Sequence, residues 1–120
     1  MTHLSRELIL EASDLTQAQV DVPEWGGFVK VRMMTGLDRS AFEQSLVTVK
    51  ADGTREQSLA NVRVNLIALT AVDEAGNLLF SQDDVARLGT KSSKALNRVF
   101  ETASELNALG DTAVKNAVKN

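Results

Sequence analysis

Apolar and polar residues alternate with a period of two over residues 17–34 and follow a helical period over most of the rest. In the first stretch Val20 and Val22 flank Asp21, and Val29, Val31 and Met33 interleave with Phe28, Lys30, Arg32 and Met34. Between them lies Pro23-Glu24-Trp25-Gly26-Gly27, a run of turn formers. Alternation on both sides of a Gly-Gly turn predicts a β-hairpin. Its second strand carries Val29, Val31 and Met33 on one face and Lys30 and Arg32 on the other, with Asp21 placed opposite one of those bases.

Helical periods flank the hairpin. Ser5 is placed to cap a short helix running to about Ala12. Thr35-Gly36 ends the hairpin, and Phe42, Leu46 and Val49 then form one stripe of a helix from about Asp38 to Val49. Ala51-Asp52-Gly53 breaks it, and Thr54-Arg55-Glu56-Gln57 fits a capping box opening a helix to Ala71. That helix has two adjacent apolar stripes, Leu59, Val62, Leu66 and Leu69, and Ala60, Val64, Ile67 and Ala71, so it should be the most buried. Asp73 to Asn77 is a tight turn before Leu78, Leu79 and Phe80, either a second small hairpin or a kinked connection. Ser81 to Asp84 starts a short helix ending at Leu88, with Gly89 as the residue past its end. The last long helix runs from about Lys91 to Ala108, with Leu96, Val99, Phe100, Ala103 and Leu106 inward and Gly110 as its stop. Ala-Val-Lys-Asn is then written twice, over residues 113–120.

This pattern predicts an α+β fold, mostly α: an N-terminal β-hairpin packed on a small bundle of three to four helices. Residues 1–110 form one domain, with 1–16 as a loosely held arm, 17–34 as the hairpin and 37–110 as the helical part, and 111–120 form a flexible tail. The expected core is Val29, Val31, Phe42, Leu46, Leu59, Val62, Leu66, Leu69, Val85, Leu96, Val99, Phe100 and Leu106.

Composition narrows the function. The chain has 120 residues, 13 basic and 16 acidic side chains, one His and no Cys. Without Cys there is no disulfide, thiolate metal site or Cys nucleophile, which suits the cytosol. No apolar run approaches the roughly 20 residues of a membrane span. Charges within Met1 to Glu11 do not fit a secretory signal. A net charge of −3 weighs against a surface that coats nucleic acid.

Candidate chemistry is sparse. His3, the single imidazole, stands third in the chain, where termini are usually mobile, which argues against a Ser–His site, and without Cys there is no Cys–His site. Asp73-Glu74 flanks a turn, and Asp83-Asp84 opens a helix, where acids suit the dipole. Trp25-Gly26-Gly27 lacks the Lys-Ser/Thr and following helix of a phosphate loop. The reading is of no catalytic residue, no metal and no cofactor. One segment, residues 82–100, has the outline of a repressor-type helix-turn-helix, with Ala86, a Gly turn at Gly89 and Lys91, Lys94 and Arg98 on the second helix. Gly89 falls one residue early for that motif, and the phosphate-binding charge is missing elsewhere.

Several stretches, in order, resemble a known family. They are Val22-Pro23-Glu24-Trp25-Gly26-Gly27 with Val29-Lys30-Val31-Arg32, Thr35-Gly36 to Phe42, Ala71 to Phe80, Leu88-Gly89-Thr90-Lys91-Ser92, and Leu96 to Glu101 with Leu106 to Leu109. Together they make the chain similar to the tail assembly chaperones of long-tailed, siphovirus-type bacteriophages. The resemblance implies a non-enzymatic factor that binds the tape measure protein, keeps it soluble and helps bring tail tube subunits to it. It implies a homo-oligomer in the host bacterial cytoplasm, absent from the mature virion, with a longer form made by frameshifting that carries the tube contact. An adaptable apolar surface would serve such a client, and Trp25, Phe28, Met33 and Met34 on the hairpin are the expected partner-binding residues. A DNA-binding role for residues 82–100 and a small structural virion or head–tail connector protein are the alternatives.

Overall fold

The computed structural model describes residues 1–57 and 61–109. Its elements are α1 (Arg6–Glu11), β1 (Gln17–Val22), β2 (Gly27–Arg32), α2 (Gly36–Ser45), β3 (Val47–Val49), β4 (Arg55–Gln57), α3 (Val62–Thr70), β5 (Ala71–Val72), α4 (Val85–Leu88) and α5 (Ser93–Leu106). The fold is α+β and mostly α, as the patterning predicts.

The hairpin forms where the alternation places it. β1 and β2 are antiparallel, with Val20 opposite Val29 and Ala18 opposite Val31. Val20, Val22 and Val31 are buried on the inner face. A 3-10 turn at Pro23–Trp25 joins the strands and ends on Gly26 at φ +75, a left-handed conformation that glycine adopts without penalty. Asp21 lies opposite Phe28 and not opposite a base, because this turn sets the register with Gln19 against Lys30. β5 adds a third strand beside β2, pairing Lys30 with Val72. The Asp73–Asn77 turn then brings Leu78 back against Val72, so the small hairpin is the correct alternative. Asp73 shapes that turn: its Oδ1 accepts from the Ala75 and Asn77 amides at 2.9 and 3.0 Å.

Two expected helices are shorter than their apolar period. α2 stops at Ser45, and Val47–Val49 is a strand paired with Arg55–Gln57. Val-Thr-Val is β-branched throughout, which costs a helix rotamer freedom and suits a pleated strand. Arg55 to Gln57 therefore opens no helix. The Thr54 hydroxyl instead donates to Asp52 Oδ1 at 2.6 Å, closing the β3–β4 turn. The long helix begins at Val62, and Leu59 lies outside the described residues.

α5 packs on α3 and on β1 and β2, and α2 packs on α3. Ala95, Leu96, Val99, Phe100 and Ala103 of α5 meet Val62, Leu66, Ile67 and Leu69 of α3 in one core with Phe42 and Leu46. Val29, Val85 and Leu106 sit half-buried at its margin. Gly89 ends α4 in a right-handed conformation, not as a left-handed residue past the end. α5 starts after Ser92, whose hydroxyl accepts from the Ala95 amide at 3.3 Å. It ends four residues before Gly110, at Leu106, in a Schellman arrangement. Leu109 N–H donates to Ser104 O, Ala108 N–H donates to Glu105 O, and Ala108 is left-handed at φ +53. Leu109 is carried into the core by this turn. The expected tail, 111–120, lies outside the described residues.

Candidate partner-binding surface

The chemically capable side chains have structural partners or none at all. His3 is on the exposed N-terminal segment. Asp73 caps its turn, and Asp84 Oδ2 accepts from the Ser81 amide at 2.9 Å, capping the helical turn that leads into α4. No cluster of three His, Cys, Asp or Glu able to hold a metal occurs among the described residues. Two carboxyls titrate below the ordinary value. Glu24 is lowered by a hydrogen bond from its own backbone amide, and further by Arg98, whose Nε donates to both carboxylate oxygens at 2.9 and 3.0 Å. Asp52 is lowered by the Thr54 hydroxyl and amide. Both shifts follow from turn and latch geometry and mark no acid–base pair.

In the helix-turn-helix outline, Lys91 and Lys94 are exposed while Arg98 is engaged. α4 is a single turn of four residues, and Arg98 is held by Glu24 on the hairpin turn. Among the described residues, no helix is long and apolar enough to cross a membrane.

What remains is apolar surface. Of the four residues expected to bind a partner, Trp25 and Phe28 are exposed at the turn end of the hairpin, at 37% and 58%. Met33 is half-buried at the other end, about 17 Å away at roughly 3.3 Å per strand residue. Its amide donates to Thr16 O at 2.9 Å. Met34 is 8% exposed and belongs to the core, not to a surface. β2 ends at Arg32, so the alternation that would put Met34 beside Lys30 and Arg32 does not reach it, and Met34 turns into the core. The four therefore do not form one patch.

The structure gives Phe28 other neighbours. Phe28, Val29 and Lys30 of β2 line an open hollow of about 490 Å³ with Val72, Asp73, Glu74 and Leu79. Leu79 is 46% exposed. A second hollow of about 330 Å³ shares Leu79 and is completed by Phe80, Asp84, Arg87, Leu88 and Lys91. Sequence reasoning missed Val72 and Leu79. The signal was present in Leu78-Leu79 directly after a polar turn, but only β5 pairing with β2 shows that it lands beside Phe28.

The family model for phage tail assembly chaperones matches residues 5–120. The chain belongs to that family. The solved structure of the bacteriophage HK97 tail assembly chaperone superposes with a TM-score of 0.57 at 21% identity, over 83% of this chain and 90% of that one. At that identity the likeness establishes a shared fold. No curated protein sequence matches the chain.

Proposed function

We propose that this chain binds the tape measure protein of its phage, keeps it soluble before the tail tube encloses it, and helps recruit tail tube subunits. Family membership and the Phe28–Leu79 surface support this reading. A long amphipathic rod exposes apolar stripes that aggregate unless covered. Phe28, Trp25 and Leu79 offer exposed apolar area, and a helix laid into such a groove is a common mode of recognition. Tube recruitment belongs to a frameshift-extended form. The protein works as a homo-oligomer in the host bacterial cytoplasm, without enzymatic activity, and is absent from the finished virion.

The observation that carries the reading is the exposed Phe28 beside the hollow it shares with Leu79. Affinity capture of the tape measure protein on this chain tests it, together with mass spectrometry of purified virions. The expected result is co-purification during assembly and no peptide of this chain in particles. Stoichiometric recovery from virions would instead make it a structural component.

A further inference from the structure

Leu79 is shared by two hollows of opposite charge. The first is rimmed by Asp73 and Glu74 against one base, Lys30. The second is rimmed by Arg87 and Lys91 against one acid, Asp84, and that acid is already engaged by the Ser81 amide. Glu74, Arg87 and Lys91 are exposed and make no ion pair within the described residues. Their charges are open to whatever covers the surface, and Phe28 and Leu79 add exposed apolar area beside them. The sheet is closed at this point. β5 pairs with β2 on one side, Val72 bridges Leu78 on the other, and Leu79 N–H donates to Ala71 O at 2.9 Å. β5 therefore offers no open edge to an added strand, and an occupant is held by its side chains, as a docked helix is.

We infer that this surface reads charge polarity: its occupant is a client helix whose apolar stripe runs from an acidic block to a basic block. The stripe covers Phe28 and Leu79, the acidic block faces Arg87 and Lys91, and the basic block faces Asp73 and Glu74. The inference rests on reading this surface as the chaperone's client-docking face, and it names the kind of segment that the surface selects along a long amphipathic rod. Because the hollows share Leu79, one helix of three to four turns, about 16–22 Å long, covers both. A helix of a single charge meets repulsion at one of the two poles, so selection works by exclusion as well as by attraction.

Fluorescence anisotropy of the full chain with three labelled synthetic peptides of about 18 residues tests this, all helical by circular dichroism and sharing one Leu stripe. The block peptide carries Glu in its first half and Lys in its second, and the other two carry only Lys or only Glu. The parent should bind the block peptide about tenfold more tightly than either uniform one at low salt, the scale of a few exposed ion pairs, and added salt should erase the difference. The double variant Arg87→Glu with Lys91→Glu should prefer the all-Lys peptide, and Glu74→Lys should prefer the all-Glu peptide. Leu79→Ser should weaken binding of all three. If it unfolds in a thermal melt, Phe28→Ser takes its place. Equal affinity of the parent for the three peptides, a preference that charge reversal leaves unchanged, or block-peptide binding retained without the apolar side chain would each overturn the inference. A block peptide shut out by self-association of the parent would assign the surface to a second copy and overturn it too. A parent that shows no preference among the peptides but captures the tape measure protein would remove this inference and leave the chaperone reading standing. Charge-selective peptide binding without that capture would remove the chaperone reading and leave the selectivity of the surface in place.

Discussion

The backbone N–H of Met34 donates to Asn107 Oδ1 at 2.7 Å, joining the exit of the hairpin to the end of α5 across 73 residues of sequence. The same side chain donates from Nδ2 to Ala103 O at 2.9 Å, and the Asn107 carbonyl accepts from Arg39 Nη1 at 3.2 Å. The side-chain amide thus ties the end of the hairpin to α5, and the backbone carbonyl of the same residue adds α2. Asn107→Ala leaves the Met34 amide unpaired in the core, which costs about 1–3 kcal/mol. Urea denaturation should show a lower midpoint with an unchanged slope. A loss below about 0.5 kcal/mol, the range of ordinary surface substitutions, would show that water replaces the side chain.

Ala108 closes α5 at φ +53, where a Cβ is unfavourable. Ala108→Gly removes that clash while the Leu109 amide keeps its bond to Ser104 O. The expected gain is about 0.5–1 kcal/mol, the left-handed penalty less the backbone entropy that glycine loses. Thermal unfolding of the two proteins measures it, and a lowered Tm would contradict the assignment of this turn.

Glu24 titrates below its ordinary value of 4.5 in the folded chain. A depressed carboxyl stabilises the fold above the unfolded value and loses that contribution as pH falls through the folded one. Glu24→Gln should therefore lower the Tm at neutral pH, and the gap should close below pH 4.5. Because Arg98 is partly exposed, added salt should also narrow it. A gap that widens in acid would mean that the latch between the hairpin turn and α5 is not ionic.

Met34 and Phe28 separate packing from binding. Met34→Ser opens the core and should cost about 2–5 kcal/mol, as truncations of buried Met side chains do. Phe28→Ser acts on a side chain that is 58% exposed and should change stability by no more than about 0.5 kcal/mol. Chemical denaturation of both variants checks the pair. Equal losses would place Phe28 in the core and remove it from any binding surface.

The hairpin was legible because period-two alternation and Gly26-Gly27 agree with the pairing of β1 and β2. The inward stripe of α5 was legible because Leu96, Val99, Phe100 and Ala103 recur at helical spacing on a helix that buries one face. The β3–β4 pair was not, since Leu46 and Val49 also satisfy a helical spacing and three-residue strands are defined only by each other. Asn107 as a tie between three elements was equally hidden, because a polar residue near a helix end looks the same in sequence whether it is solvated or buried. For the surface, aromatic exposure near a turn was readable at Trp25 and Phe28, whereas the company of Leu79 depends on a two-residue strand, β5.

Co-expression with the tape measure protein, read as the fraction of that protein in the soluble phase, tests the central claim most directly. The parent chain should hold most of it in solution, and the double variant Trp25→Ser with Phe28→Ser, folded by circular dichroism, should let it aggregate. A tape measure protein equally soluble without the chain, or equally protected by the double variant, would contradict the account.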